Sequence, residues 1–227
     1  MLIHQYLSQS QIQIQDLPSD FSKLFAEYQS QITNLTQAPP ENIKWQYQVP
    51  ELGEGGSCSI FDQLAADPYD LTLTLGGRTT ANTQMLSQLQ SIVDFYQLHS
   101  SSQWFGIYQK RLNQQGETVL VKLAYFGAAS RAEFPLTAEF ATMSNNSTVG
   151  MTGKARIIND VSAYLTAGGE YYTCDPKVQS EACLPLLGTD GSVVGIIDSE
   201  AFAKNVFVGK ELALLLSVVM ALPPILR

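Results

Sequence analysis

Charge is scarce in this sequence. Of 227 residues only 15% are charged, and 13 Lys and Arg stand against 21 Asp and Glu, giving a net charge of −8. Phosphate contact needs a clustered positive surface, so nucleic-acid binding is excluded as an expectation. Cations, amines and neutral metabolites fit this balance better. Histidine is scarcer still: His4 and His99 are isolated, and no Cys or His pair has metal-ligand spacing, so neither a metal nor another cofactor is implied. The three cysteines, Cys58, Cys174 and Cys183, are an odd number in a chain that is not small, which is no disulfide framework. They read as buried thiols of a reducing compartment, or one of them is reactive. A long apolar run is missing too. Leu212 to Leu226 contains Pro223 and Pro224 and falls short of the roughly 20 apolar residues of a membrane span. The first sixteen residues have no basic region, no apolar stretch and no small-residue cleavage site. A cytoplasmic protein without membrane contact is expected. No internal repeat, glycine-rich phosphate loop or Ser-His-Asp motif is visible.

What the sequence does have is enough apolar material, 45%, for one sizeable core with an appendage. Phe21, Leu24, Phe25, Tyr28, Ile32 and Leu35 recur at helical spacing and predict an amphipathic helix over about 19–36. From Ala38 to Gly77 prolines and glycines accumulate. This stretch reads as loops with one or two strands, the alternating Leu71-Thr-Leu-Thr-Leu75 among them. A second helix is predicted over about 81–99. Short β-rich runs follow at 103–110 and 118–126, joined by a turn at Asn113–Gly116, and another strand at 156–159. Asp160 to Ser180 reads as a long polar surface loop. The clearest hairpin comes next, 181–187 and 192–198 about Thr189-Asp-Gly191, and a helix over 209–221 ends at the two prolines. A helix, an antiparallel meander with loops on one face and a final helix on the other make an α+β layered domain.

The segment YYTCDPKVQSEACLPLL from Tyr171 to Leu187, with SVVGIIDSEAF after it, resembles the active-site region of free methionine-(R)-sulfoxide reductases, whose domain is of the GAF type. Cys174, Asp175, Ser180, Glu181, Pro185, Gly195 and Asp198 match in register, with about one residue added in the hairpin turn. SQWFGIY resembles a second family strand and places Trp104, Gly106 and Tyr108. Tyr125-Phe-Gly and Phe134-Pro135 also fall at family-like spacing. The resemblance implies a GAF-like α+β domain over 79–227, with a central antiparallel sheet, helices on one face and ligand-pocket loops on the other. Residues 1–78 are left as a helical and irregular extension, which packs beside the domain's helices or builds a homodimer interface. Two further cysteines of the family pattern are replaced, one by Arg131 and one by Thr152.

The implied chemistry is reduction of free methionine (R)-sulfoxide to methionine. Cys174 is the candidate nucleophile, and Glu181 and Asp198 are the candidate groups that hold the substrate amine and help protonate the sulfoxide. An ammonium group needs carboxylates, and a methylthio end needs an aromatic wall. Asp198 and Glu200 lie two apart and share a strand face, as do Trp104 and Tyr108, four apart. Trp104, Tyr108 and Glu200 are therefore candidate substrate-binding residues, and the resemblance adds Asp175. Asp175 beside Cys174 disfavours a thiolate, so activation must come from elsewhere. With Arg131 and Thr152 at the resolving positions, Cys183 and Cys58 are the internal candidates, and a thioredoxin-type protein or glutathione is the external one. The alternative is a GAF module that binds a small amino acid or metabolite as a sensor without turnover.

Overall fold

A computed structural model of the chain describes residues 1–37, 43–53, 59–171 and 175–226, with the side chains of Phe61 and Asp62 left out. Cys58 and Cys174 lie outside the described residues. The chain begins with two helices, α1 (Ile3–Ser10) and α2 (Phe21–Leu35). Short strands β1 (Gln46–Tyr47), β2 (Pro50–Leu52), β3 (Ser59–Leu64) and β4 (Tyr69–Asp70) follow, then a helical turn α3 (Leu71–Thr74) and the long helix α4 (Thr80–His99). The main sheet is built from β5 (Trp104–Leu112), β6 (Thr118–Phe126), β7 (Glu133–Pro135), β8 (Arg156–Ile158), β9 (Ser180–Leu187) and β10 (Val193–Ala201). Helices α5 (Ala138–Ala141), α6 (Asn145–Thr152) and α7 (Val161–Thr166) interrupt it, and α8 (Gly209–Ala221) ends the chain.

The six strands pair antiparallel throughout, in the order β7-β6-β5-β10-β9-β8. Two hairpins set the register. Asn113 Oδ1 accepts from the amides of Gln115 and Glu117 in the β5–β6 turn, and Gly191 takes φ +82 in the β9–β10 turn, where a side chain would be strained. Leu86, Leu89, Ile92, Val93 and Tyr96 bury one side of α4. Eight consecutive residues of α8, Leu212 to Val219, are buried because the helix is covered on two sides, by the sheet and by α2. The Gln29 amide of α2 donates to the Ser217 carbonyl of α8. Tyr6, Leu7, Tyr28, Ile32, Tyr47 and Leu71 belong to the same core as these helices, so α1, α2, β1 and α3 share one apolar interior with the sheet.

The sequence reading is corrected at several short elements: the stretch read as loops with one or two strands holds the four short strands β1 to β4, which pair as two separate ladders. Leu71 to Leu75 alternates like a strand yet forms α3, because Asp70 caps it by accepting from the Thr72 amide at 2.7 Å. Leu71 and Leu75, one helical turn apart, are then buried, while Leu73 is 66% exposed. The polar stretch after Asp160 is not loop throughout. Asp160 Oδ1 accepts from the Ala163 amide at 3.0 Å and starts α7. Helix α1, at the N-terminus, packs against β9, where the Tyr6 hydroxyl donates to the Pro185 carbonyl at 2.9 Å.

Candidate functional site

Directly paired residues of an antiparallel ladder share a face, and so do residues two apart on one strand. Glu200 of β10 pairs with Glu181 of β9 and with Trp104 of β5; Asp198 pairs with Cys183 and Gly106; Ile196 pairs with Tyr108. All of these side chains therefore leave the sheet on the side opposite α4 and α8. That side holds a cavity of about 480 Å³. Glu181, Asp198, Glu200, Asp175, Trp104 and Tyr108, the described candidates for substrate contact and proton transfer, all line it. Cys174 is outside the described residues, one position before Asp175.

The aromatic side of the cavity depends on a missing side chain. Trp104 and Tyr108 have ring centroids 6.4 Å apart, and a Cβ on Gly106 between them would lie 2.4 Å from the Trp104 ring. The Trp104 indole N–H is fixed by donating to the Ala128 carbonyl at 3.0 Å. Phe134 meets Tyr108 edge-on at 5.4 Å. Beneath this wall Lys122 is fully buried. Its ammonium donates to Ser130 at the carbonyl (2.8 Å) and at Oγ (2.6 Å), and stands 4.0 Å from the Tyr125 ring centroid.

Helix α6 supplies the polar partners. Ser144 caps it through the Ser147 amide at 3.2 Å, so the next two side chains point into the site. Asn145 Nδ2 donates to Glu181 Oε1 at 3.0 Å, and Asn145 Oδ1 accepts from Arg156 Nη1 at 2.7 Å. A guanidinium can only donate, which fixes the way this amide faces. Asn146 Nδ2 donates to Asp198 Oδ2 at 3.0 Å, and its Oδ1 accepts from the Cys183 thiol at 3.1 Å. Asp198 Oδ1 is buried without a hydrogen-bond partner among the described residues. A buried carboxylate oxygen left like this is costly unless the group is protonated or a ligand donates to it.

Burial favours the protonated form of each of the three carboxyl groups. Burial, then Glu181 and Glu200, push Asp198 well above the usual range against the opposing effect of Asn146. Burial raises Glu181, while Tyr171, Asn145 and Arg156 pull the other way. Burial and then Glu181 and Asp175 push Glu200 up to about 8, with Lys122 opposing. Three interacting acids of this kind titrate as a set rather than singly.

Cys183 faces the cavity side but is fully buried beneath Asn146, and burial, then Asp198 and Glu181, push its thiol up. Arg131 lines the cavity: its Nε donates to the Glu133 carbonyl at 2.6 Å and its guanidinium lies 4.7 Å from the Phe140 ring centroid. Thr152 is exposed at the end of α6 and donates to the Thr148 carbonyl at 2.8 Å. Asn145, Asn146, Arg156 and Tyr171 were missing from the sequence-derived site. Ser144 was the readable signal, an N-cap residue that would have started α6 and aimed the two amides. Among the described residues no group of three or more His, Cys, Asp or Glu is arranged to hold a metal ion. Among the described residues no helix is long and apolar enough to cross a membrane.

No protein-family model matches the sequence, and no curated protein matches it. Solved structures do. A type II free methionine-R-sulfoxide reductase from Thermoplasma acidophilum superposes with a TM-score of 0.54 at 21% identity, over 64% of this chain and 94% of that one. A GAF sensor protein from Burkholderia vietnamiensis gives 0.55 at 14% identity, over 93% of each chain. The chain thus has the GAF-type α+β fold that free methionine-R-sulfoxide reductases and GAF sensor proteins share.

Proposed function

We propose that the cavity receives the ammonium group of a free amino acid on Glu181, Asp198 and Glu200, and that Cys174 reduces methionine (R)-sulfoxide held there. The observation that carries this reading is the buried Oδ1 of Asp198, without a hydrogen-bond partner among the described residues, in a cavity that two further carboxyl groups and the Trp104–Tyr108 wall also line. An ammonium donor satisfies that oxygen and offsets the crowded acids, and the wall takes the methylthio end. The Cys174 sulfur attacks the sulfoxide sulfur as its oxygen is protonated. Methionine leaves, and the oxygen ends on Cys174 as a sulfenic acid. A first external thiol condenses with that sulfenic acid, releasing water and forming a mixed disulfide. A second thiol, as in a thioredoxin-type dithiol, frees Cys174 and leaves the reductant as a disulfide. Glu200, with a pKa of about 8, is suited to donate a proton at neutral pH.

The sensor reading has its own support. The likeness to the GAF sensor protein extends over 93% of the chain, and Arg131 and Thr152 stand where the resemblance puts the family's cysteines. One experiment separates the two. Methionine formation from the free (R)-sulfoxide is followed in a thioredoxin-coupled assay, beside calorimetric binding of methionine. Turnover that is lost in Cys174→Ala while binding persists supports the reductase. Binding without turnover in the wild-type chain supports the sensor, and turnover undiminished in Cys174→Ala rules the thiol mechanism out.

A further inference from the structure

Part of the cavity wall comes from the N-terminal segment. Tyr47 donates to the Lys122 carbonyl of β6 at 2.6 Å, and Tyr69 donates to Glu133 Oε1 of β7 at 2.5 Å. Tyr47 and Tyr69 are themselves partners in the β1–β4 ladder, with rings stacked at 5.6 Å. These tyrosines tie a strap across the β6–β7 edge of the sheet. The strap carries the β2–β3 ladder, where Pro50 pairs with Leu64 and Leu52 with Ser59, and it lays Pro50, Ser59, Ile60, Gln63 and Leu64 along the cavity.

The chemistry of that wall is the opposite of the acid cluster. None of its five cavity residues is charged, and three are apolar. At the mouth Leu64 is 57% and Phe202 is 38% exposed, although both line the cavity, so apolar surface waits there uncovered. The three acids and the strap residues line one cavity of about 480 Å³, so a ligand whose ammonium sits on the acids can carry an apolar tail toward the strap.

We propose that the strap is a specificity wall and that the preferred ligands are ammonium compounds with an apolar tail longer than methionine's side chain, the tail lying against Ile60 and Leu64. This rests on the ammonium reading of the acid cluster and extends it to the other end of the cavity. Calorimetric titration of the full chain with butylamine, hexylamine and octylamine tests it. Affinity is expected to rise by roughly threefold to fourfold per added methylene. In Ile60→Ser and Leu64→Ser that dependence on length should flatten. In Glu200→Gln all three amines should weaken by a common factor. Butylamine binding with no gain for octylamine overturns the specificity wall and leaves the ammonium reading standing. A length dependence that survives both Ser substitutions overturns the role of the strap, and failure of every amine to bind overturns the wall and the ammonium reading together.

Discussion

Glu181 and Glu200 are direct partners across the β9–β10 ladder, two acids facing one another at the floor of the cavity. Like charges in that position destabilise a sheet. Here the cost is limited because burial raises both carboxyl groups, while Asn145 and Tyr171 hydrogen-bond to Glu181 and the Lys122 charge acts on Glu200. The pair is held against the preference of the sheet, and its consequences for pH are definite.

Glu200 is raised from 4.5 to about 8 in the folded chain. A carboxyl group with a raised folded pKa binds more protons folded than unfolded, so its stabilising effect is full below about 4.5 and is lost as pH rises through about 8. Glu181 and Asp198, also raised, act in the same direction. The melting temperature should therefore fall steadily from pH 5 to pH 8, and Glu200→Gln should make that fall shallower. Differential scanning calorimetry across this window checks the sign, and a melting temperature that climbs with pH would overturn the assignment of raised carboxyl groups.

Asn146 joins Cys183 to Asp198 through the two ends of one amide. Leucine there leaves the second oxygen of Asp198 and the Cys183 thiol without partners inside the protein. A buried group deprived of its partner costs roughly 1–3 kcal/mol. At roughly 2–4 °C per kcal/mol for a chain of this size, Asn146→Leu should show a clear fall in melting temperature. Pairing it with Asp198→Leu should recover part of the loss, because both ends of that contact are then apolar. Additive losses in the double variant would mean that the amide and the carboxylate do not act on one another.

The sheet side of the site was legible in the sequence because a period of two is enough to put Glu181, Asp198, Glu200, Trp104 and Tyr108 on one face. Its other side was not. Asn145 and Asn146 arrive on an eight-residue helix whose apolar pattern is too short to read, and the strap residues Ile60 and Leu64 arrive from a Pro- and Gly-rich stretch. Their places depend on tertiary anchors, Tyr47 on Lys122 and Tyr69 on Glu133, which no local pattern encodes. Alternation misled at Leu71 to Leu75, where the Asp70 cap outweighs it.

Gly106 leaves no room for a larger residue. An added Cβ would lie 2.4 Å from the Trp104 ring and 3.0 Å from the Tyr108 ring. Gly106→Ala should displace both rings at a cost of roughly 1–3 kcal/mol. Tryptophan fluorescence should shift toward that of solvent-exposed indole, and methionine affinity should drop. An unchanged emission spectrum with unchanged affinity would show that the rings are not held as a wall for the ligand.

Cys183 tests which thiols can enter redox chemistry. It is fully buried, its proton is engaged by Asn146, and its pKa is raised, so little thiolate exists near neutral pH and no reagent reaches it without local opening. Native wild-type protein and Cys183→Ala should therefore show the same number of thiols that react rapidly with an aromatic disulfide, and Cys183 should react only after denaturation. If Cys183 serves as the resolving partner of Cys174, the outcome differs. Hydrogen peroxide followed by non-reducing peptide mapping would then yield a Cys174–Cys183 disulfide, and Cys183→Ala would slow the second and later turnovers. The buried geometry predicts neither.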